Sequence, residues 1–525
     1  MRRGASLAGG LMVCGTTSDA GKTTVVTGLC RLLARRGLSV APFKAQNMAL
    51  NSAVTAGGQE IGRAQYAQAQ AAGVPAEAAM NPILLKPQSD RTSQVVVMGR
   101  PWKTLDAAAY HRAKGQLRGV VAEQLEDLRR RFDVVICEGA GSPAEINLLD
   151  GDIVNLPLAK AASLPAVVVG DIDRGGVFAA LYGTVALLPA ELRPLVRGFI
   201  VNKFRGDPAL LAAGPAELER RTGVPTLGVL PWMDGLGVDA EDSLALSSAW
   251  RAGGRAPSPP GADGLDVAVV RLPRISNFTD LDALAAEPGV TVRLVDSAAG
   301  LGRPDLVVLP GTKATVADLA WLRERGLADA LAGLAGAAGE DSTILGICGG
   351  YQMLGRRVRD PGVEERAPAS VEGLGLLAVE TEMRADKVTR ACGGFALGER
   401  VAGYEIRHGR TYPSGAAAAV PAGEGPWMTL DGPGGAAAEG FSAGGGRVLG
   451  TSVHGLFESD AFRERFLAAV AARAGRSWRP GGVRFAAERA ARFDRLADAL
   501  EEHVDVAGIE RLIEASARRA PEVPR

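Results

Sequence analysis

A glycine-rich segment near the start of the chain restricts its fold most strongly. Residues 14–29 read CGTTSDAGKTTVVTGL and follow the apolar run LMV. An apolar run, a glycine-rich turn and a helix that begins with Gly-Lys-Thr together predict a phosphate-binding loop in a parallel α/β sheet. The usual loop has four residues between its first glycine and Gly-Lys. Here Gly15 and Gly21 are separated by five residues.

The residues of this loop are predicted to bind ATP. We expect Lys22 to reach the β- and γ-phosphates and the hydroxyl of Thr23 to bind Mg²⁺. A turn without a ligand is the alternative, and the complete order of strand, loop and helix argues against it. The predicted ATP-binding residues of the loop are Gly15, Thr16, Thr17, Ser18, Asp19, Ala20, Gly21, Lys22, Thr23 and Thr24.

Length and composition predict several domains and small-molecule partners. The chain has 525 residues, of which 47% are hydrophobic, and roughly 100 to 200 residues per domain predicts two or three domains. Lys plus Arg equals Asp plus Glu at 59 each, so no net charge attracts nucleic acid or an anionic membrane. Five scattered cysteines without a CxxC pair argue against a zinc site or a disulfide framework. We therefore expect a cytoplasmic protein that binds neither nucleic acid nor membrane, and its oligomeric state is not predicted.

Apolar runs alternate with amphipathic helical patterns in both halves of the chain, which predicts α/β domains with parallel sheets. A segment rich in Gly, Pro and Ser separates the two halves. We predict a nucleotide-binding domain over 1–246, a linker over 247–264, a second α/β domain over 265–472 and a C-terminal helical tail over 473–525. One helical pattern consists of Leu117, Val121, Leu125 and Leu128.

Three more predicted strands of the first half end in polar side chains, and ligands of parallel sheets lie beyond such strand ends. Glu138 ends the run VVICE and is predicted to help hold Mg²⁺, although a solvated loop glutamate is the alternative. Asn202 and Lys203 end another run and are candidates to contact the adenine base. Asp171 and Asp173 could meet metal or substrate, or cap the next helix.

A second site is predicted in the later half of the chain. The segment GICGGYQMLG places Cys348 between a strand and a helix, a turn that exposes a nucleophile and favours its thiolate. His454 ends a later strand and could take the thiol proton and return it to a leaving group. Backbone N–H groups near Gly311, Thr312 and Gly349 are candidates for an oxyanion hole. A packing cysteine and a core histidine are the alternatives.

Both sites resemble those of known enzymes. The long loop resembles that of the dethiobiotin synthetase superfamily, whose members use ATP to activate a carboxylate or carbamate. The cysteine, the histidine and the oxyanion loop resemble a class I glutamine amidotransferase. Triad members of that class carry a glutamate two residues after the histidine, whereas this chain has Leu456 there and its next glutamate is Glu458. The third triad member is thus not identified, and a Cys-His dyad is the alternative.

Together the two domains resemble the cobyrinic and cobyric acid synthase family. The matching segments include PFKAQNMALNS, NPILLKPQSDRTSQVVVMG, EGAGSPAEINL and GYEIRHGRT, and the resemblance covers nearly the whole chain. It implies that ATP and glutamine are used to amidate the b, d, e and g carboxylates of adenosylcobyrinic acid a,c-diamide through acyl phosphates. It also implies Mg²⁺, with cobalt arriving inside the corrinoid substrate and no protein ligand for it.

The resemblance also suggests residues that bind the corrinoid or phosphate, which are Lys44, Gln46, Asn47, Asn51 and Lys86. As an alternative, these side chains could satisfy loop backbone groups. Two other functions stay open. One is the branch of the family that makes the a,c-diamide, against which FKAQNMALNS argues. The other is a partitioning-type ATPase, in which Cys348 and His454 would have no role.

Overall fold

The computed structural model describes residues 9–233, 264–336, 341–365, 367–414, 423–432 and 434–517. The predicted linker over 247–264 lies outside these ranges except for its last residue. No helix in the described ranges is long and apolar enough to cross a membrane.

The first domain is built on a six-stranded parallel sheet with the strand order β12-β11-β10-β1-β9-β2. A second sheet in the order β3-β6-β7-β8 and the hairpin β4-β5 lie beside it. The strands are β1 (Gly9–Gly15), β2 (Val40–Phe43), β3 (Gln46–Met48), β4 (Ser52–Val54), β5 (Glu60–Gly62), β6 (Ile83–Pro87), β7 (Thr92–Val97), β8 (Arg100–Asp106), β9 (Val134–Glu138), β10 (Ala166–Asp171), β11 (Val196–Phe204) and β12 (Thr226–Pro231). The helices are α1 (Lys22–Arg35), α2 (Arg63–Ala72), α3 (Ala107–Arg131), α4 (Leu156–Ala161), α5 (Val177–Leu187), α6 (Pro208–Leu211) and α7 (Ala213–Thr222).

Helix α3 shows how the apolar pattern positions an element. Asp106 caps its start by accepting a hydrogen bond from the N–H of Ala109 at 2.7 Å, which satisfies one unpaired donor of the first turn. Three arginines occupy its last turn, where positive charge is favourable. Its buried side chains, at spacings of three and four residues, are Leu117, Val121, Leu125 and Leu128.

The second domain has its own six-stranded sheet in the order β15-β13-β16-β18-β26-β25, parallel except for β25. A further sheet contains the long hairpin β21-β22. The strands are β13 (Leu265–Val270), β14 (Ile275–Ser276), β15 (Val290–Val295), β16 (Leu306–Leu309), β17 (Gly311–Thr312), β18 (Thr343–Ile347), β19 (Arg357–Asp360), β20 (Ala369–Glu372), β21 (Val379–Ala396), β22 (Glu399–Pro413), β23 (Met428–Leu430), β24 (Ala437–Glu439), β25 (Phe441–Ala443) and β26 (Val448–Thr451). The helices are α8 (Asp282–Ala285), α9 (Ala298–Leu301), α10 (Thr315–Glu324), α11 (Leu327–Gly336), α12 (Gly349–Leu354) and α13 (Asp460–Arg473). The predicted α/β class and the order of the two domains are confirmed.

Two C-terminal helices, α14 (Phe485–His503) and α15 (Val506–Ala517), return to the first domain. Leu500 and Ile509 share one buried cluster with Val25 and Leu29 of α1. The crossing of α1 and α14 is close, because a Cβ on Gly28 would lie 2.5 Å from Leu500 Cδ1. The end of the chain is therefore part of the core that supports the phosphate-binding loop.

Candidate active sites

The phosphate-binding loop lies between β1 and α1, at the centre of the first sheet. Gly21, directly before α1, has φ 104°, a conformation that favours glycine, and a Cβ there would lie 1.9 Å from Asn202 Nδ2. The ammonium group of Lys22 donates to the carbonyl oxygens of Thr17 at 2.9 Å and Gly141 at 3.1 Å. These bonds hold Lys22 over the loop, where the β- and γ-phosphates of ATP are predicted to bind.

Glu138 ends β9 beside this loop and is buried. Its Oε1 accepts hydrogen bonds from Thr23 Oγ1 and Lys44 Nζ, each at 2.9 Å, and its Oε2 accepts one from Gln68 Nε2 at 2.6 Å. Burial by itself raises the pKa of a carboxyl group, but the adjacent Lys44 ammonium holds the pKa of Glu138 below its ordinary value. An ionised carboxylate bonded to a threonine hydroxyl is an oxygen-donor pair that suits Mg²⁺. Thr23 and Glu138 thus fit the predicted metal position.

Asn202 and Lys203 hold the opposite side of the loop. Asn202 Nδ2 donates to the carbonyl oxygen of Ala20 at 3.0 Å. Lys203 Nζ donates to the carbonyl oxygen of Asp19 at 2.8 Å and to Asp171 Oδ2 at 2.7 Å. Both side chains therefore order the loop backbone, and their contact with adenine stays a prediction.

The acidic residues at the end of β10 do not cap the following helix. Asp171 Oδ1 accepts a hydrogen bond from the N–H of Asp173 at 2.9 Å, and Asp173 pairs with Arg205 at 3.1 Å. Helix α5 begins instead after Gly176, whose φ is 70°. These carboxylates order the strand end beside Lys203.

Four of the five predicted corrinoid-binding residues are buried and bonded to protein groups. Lys44 is bonded to Glu138, as described above. Lys86 Nζ lies 2.6 Å from Glu60 Oε1, and Lys387 of the second domain pairs with the same carboxylate at 2.5 Å. Because both lysines contact Glu60, Lys86 belongs to a buried ion-pair network shared by the two domains.

The amide candidates lie along β3 and the loop that follows it. Asn47 Nδ2 donates to Gln65 Oε1 at 2.9 Å. Asn51 Oδ1 accepts the N–H of Phe278, from the second domain, at 3.2 Å. Gln46 is half-buried, so it is more open to a ligand than the other four candidates. Binding of the corrinoid by these residues stays a prediction.

Cys348 joins β18 to α12 in a strained turn. Its φ of 51° and ψ of −105° are rarely adopted by residues other than glycine, and such strain is common at functional sites. The turn needs small neighbours, because a Cβ on Gly350 would lie 1.9 Å from the carbonyl oxygen of Leu309. The cysteine is only 7% exposed. The backbone thus forms the sharp turn that the sequence predicts, but the thiol is buried and not exposed as expected.

His454 follows β26 and is bonded to a carboxylate of the same domain. Its Nδ1 lies 2.7 Å from Asp280 Oδ2, while Asp280 Oδ1 accepts the N–H of Gly455 at 2.7 Å. Burial by itself lowers the pKa of an imidazole, but the Asp280 carboxylate, with a smaller contribution from Cys348, raises the pKa of His454 to about 10. Since Nδ1 bonds to Asp280, Nε2 is the nitrogen available to the thiol.

Asp280 occupies the place of the third triad member, which the sequence analysis left unidentified. Glu458, the nearest glutamate in the sequence, pairs instead with Arg63 at 2.7 Å and Arg489 at 2.9 Å. Leu456 is buried. The geometry therefore makes Asp280, and not Glu458, the candidate third member of a Cys348–His454–Asp280 arrangement.

The three oxyanion candidates lie together beside this arrangement. Strand β17, which consists of Gly311 and Thr312, pairs with β14 in antiparallel orientation. A Cβ on Gly311 would lie 2.9 Å from His454 Cε1, and a Cβ on Gly349 would lie 2.9 Å from the backbone nitrogen of Thr312. The backbone of two loops thus converges next to the thiol, as an oxyanion site requires.

A narrow cavity adjoins Cys348, and both domains contribute to its wall. Lys313 and His408 line it from the second domain, and Lys86 lines it from the first. Burial and the nearby Lys313 and Lys387 ammonium groups lower the pKa of His408 to about 3, so this histidine is neutral. Sequence reasoning missed Lys313 although it directly follows the oxyanion candidate Thr312.

Sequence reasoning also missed Asp280 and Gln68. Asp280 lies in the segment SNFTDLDAL, where two acidic residues follow a predicted strand of the second domain. Asp280 does not stand at the end of that strand, because β13 ends at Val270, so reasoning from strand ends does not single it out. Gln68 lies on α2 with no local motif, so only the folded chain brings it to Glu138.

Comparisons with known proteins agree with the two predicted domains. Residues 11–244 match the family described as the CobQ/CobB/MinD/ParA nucleotide binding domain, and residues 266–462 match the CobB/CobQ-like glutamine amidotransferase domain. A cobyric acid synthase of Frankia casuarinae is 52% identical, with 99% of each chain covered. Those of Streptomyces avermitilis and Nocardia farcinica are 54% and 53% identical, with 97% and 96% of each chain covered. The chain therefore belongs to the cobyric acid synthase family.

Proposed function

We propose that this chain amidates the b, d, e and g carboxylates of adenosylcobyrinic acid a,c-diamide, using ATP and glutamine, to give adenosylcobyric acid. The observation that carries the proposal is the presence of two separate sites on one chain, the phosphate-binding loop with Glu138 and the Cys348–His454–Asp280 arrangement. A carboxylate does not react with ammonia unaided, so one site must activate it and another must release ammonia. The relatives named cobyric acid synthase support this substrate.

Ammonia release is assigned to the second domain. The His454 imidazolium, stabilised by Asp280, favours the thiolate of Cys348. The thiolate attacks the side-chain amide carbon of glutamine, and the backbone N–H groups near Thr312 and Gly349 stabilise the oxyanion. His454 gives its proton to the departing ammonia. Water then hydrolyses the thioester, which releases glutamate and restores the thiol.

Activation of the corrinoid carboxylate is assigned to the first domain. The loop and Lys22 hold the phosphates of ATP, and a carboxylate oxygen of the substrate attacks the γ-phosphorus. ADP leaves and an acyl phosphate forms. Ammonia then displaces inorganic phosphate to give the amide. Thr23 and Glu138 would hold Mg²⁺, which would neutralise phosphate charge during this transfer.

The proposal is tested by incubating the protein with the a,c-diamide, ATP, Mg²⁺ and glutamine and following the product by mass spectrometry. We expect successive conversion of the four carboxylates to amides, and no conversion when ATP is omitted. An unchanged a,c-diamide would contradict the proposal. Conversion of cobyrinic acid to the a,c-diamide instead would identify the other branch of the family.

The Asp280–His454 pair gives a pH-dependent prediction. We expect Asp280→Asn to lower glutaminase kcat/KM by about 10² to 10⁴, because the imidazolium loses its stabilising charge. The asparagine also removes the main cause of the raised His454 pKa, so that pKa should fall from about 10 towards or below its ordinary value of 6.5. If protonated His454 is required, activity is lost as the pH rises through the pKa of His454. Because that pKa is lower in Asp280→Asn, the variant should lose activity at a lower pH than the parent.

Glutaminase rates measured from pH 5.5 to 11, a range reaching about one unit below the lower and one unit above the higher of these two values, test this prediction. Asp282→Asn, which removes a carboxylate two residues away, is the control and should keep the parent profile. The same alkaline limb in Asp280→Asn and in the parent would show that Asp280 does not set the protonation of His454.

A second prediction separates the roles of His454 and Glu458. We expect His454→Ala to lower glutaminase turnover by about 10² or more, because general acid–base catalysis is lost. Glu458→Gln should cost about tenfold or less, since its carboxylate contacts two arginines and not the imidazole. Steady-state rates of glutamine hydrolysis by the two folded variants test this prediction. Equal losses would show that Glu458 acts as a triad member.

A further inference from the structure

We propose that the first domain positions the glutaminase site, with α2 and the segment that joins β3 to β4 holding the two loops that carry Asp280 and His454. The residues assigned to this role are Asn51, Arg63, Asn277 and Glu458. None of them belongs to the Cys348–His454–Asp280 arrangement itself. The inference rests on the proposed function, because it assumes that Cys348 hydrolyses glutamine.

The first contact is a reciprocal pair of side-chain to backbone hydrogen bonds. Asn277 Oδ1 accepts the N–H of Ser52 at 2.9 Å, and Asn51 Oδ1 accepts the N–H of Phe278 at 3.2 Å. All four residues are buried, so loss of either bond leaves a buried donor unsatisfied. Asn277 also accepts the N–H of Asp280 through its carbonyl oxygen at 3.1 Å. This contact therefore acts on the backbone of the triad carboxylate.

The second contact is an ion pair with the loop after His454. Arg63, the first residue of α2, pairs with Glu458 at 2.7 Å, and its side chain is only 3% exposed. Arg489 of α14 holds the same carboxylate at 2.9 Å. The N–H of Glu458 donates to the carbonyl oxygen of Gly455, next to His454, at 3.1 Å. Two arginines, one on α2 and one on α14, thus hold the loop that carries the imidazole.

The two contacts are joined to each other and to the predicted ATP site. The N–H of Arg63 donates to the carbonyl oxygen of Asn51 at 3.2 Å, so both contacts begin from one segment of the first domain. Helix α2 also carries Gln68, which donates to Glu138 at 2.6 Å. One short helix therefore contacts the carboxylate of the ATP site and the loop of the triad histidine.

These contacts matter for catalysis because the Asp280–His454 bond tolerates little displacement. Misplacement of a catalytic group by about 1 Å can cost about 10² in rate. The contacts hold the backbone on both sides of that bond, at Asp280 and at Gly455. Loosening either contact should therefore reduce turnover more than it reduces glutamine binding.

The experiment compares Arg63→Gln and Asn277→Gly with a matched control. Glycine suits the positive φ of 52° at Asn277 while removing the acceptor, and Asn277→Asp keeps an acceptor oxygen. Arg31→Gln is the control, because Arg31 is also a helix arginine of the first domain that forms an ion pair, with Asp494 of α14 at 2.8 Å, but contacts neither triad loop. Glutaminase kcat and KM are measured separately, and amidation is measured with ammonium salts in place of glutamine.

We expect glutaminase kcat to fall about tenfold in Arg63→Gln and Asn277→Gly, with KM nearly unchanged. Asn277→Asp should retain most of the parent kcat, and Arg31→Gln all of it. Amidation with ammonium salts should persist in every variant, because the site that activates the carboxylate is separate. This pattern would support positioning by the first domain.

Parent-like kcat in both Arg63→Gln and Asn277→Gly would overturn the inference. An equal loss of ammonia-dependent amidation would also overturn it, because that result indicates general damage to the fold. A rise in KM with unchanged kcat in Asn277→Gly would show that Asn277 binds glutamine in the cavity that it borders, again against positioning. Glutaminase activity of the parent and of Cys348→Ala is measured first, since an inactive parent would refute the proposed function itself.

Discussion

Cys348→Ala is expected to abolish glutamine-dependent amidation while ammonium salts still support synthesis. The substitution removes the sulfur that attacks the glutamine amide, and loss of such a nucleophile costs about 10³ or more. The phosphate-binding loop and Glu138 lie in the first domain and are not altered. Rates of amide formation with each nitrogen donor, measured on the same preparation, check this expectation.

Cys392→Ala is the matched control for that variant. Cys392 lies on the hairpin strand β21 and is partly exposed, away from the strained turn. Its substitution should leave both nitrogen donors usable. Parent-like glutamine hydrolysis by Cys348→Ala would show that another group is the nucleophile.

Lys22→Ala is expected to abolish amidation with glutamine and with ammonium salts alike. In the proposed order, acyl phosphate formation precedes attack by ammonia, so neither donor can compensate for lost activation. Removal of a phosphate-contacting cation typically costs about 10² or more. Product formation and ADP release should therefore fall together.

Lys160→Ala is the control for Lys22→Ala, because Lys160 is an exposed residue of α4. It should retain parent rates with both donors. Sustained ammonia-dependent amidation by Lys22→Ala would contradict the order of steps, since it would mean that the carboxylate is activated without this lysine.

Sequence reasoning found the parts of each site that are consecutive in the chain. The phosphate-binding loop and the turn at Cys348 are formed by neighbouring residues, so glycine spacing and flanking apolar runs predict them. Glu138 ends β9 and His454 lies just after β26, so both were singled out because the strand ends of a parallel sheet meet at one edge.

The pairings between distant segments could not be predicted in this way. Asp280 meets His454 across 174 positions of sequence, and the expected glutamate is replaced by Leu456, so no local motif marked the partner. Lys86, whose contact with substrate stays a prediction, pairs with Glu60, a residue that no motif singled out. Burial of such charges depends on domain docking, which a single sequence does not specify.

The helices at the C-terminus show the same limit. Their apolar spacing predicted amphipathic helices, and α14 and α15 are present with Leu500 and Ile509 buried. The pattern did not say which surface they cover. They pack on α1 and β1 of the first domain, which also brings Arg489 to Glu458.

In the proposed reaction, nitrogen released from glutamine in the second domain is joined to a corrinoid carboxylate activated by ATP in the first. Glutamine carrying nitrogen-15 in its side-chain amide, together with the a,c-diamide and ATP, follows that nitrogen from one site to the other. We expect label in every newly formed amide and release of one ADP for each amide. Formation of amides without ATP, or an unchanged corrinoid in the presence of ATP and glutamine, would contradict the proposed reaction.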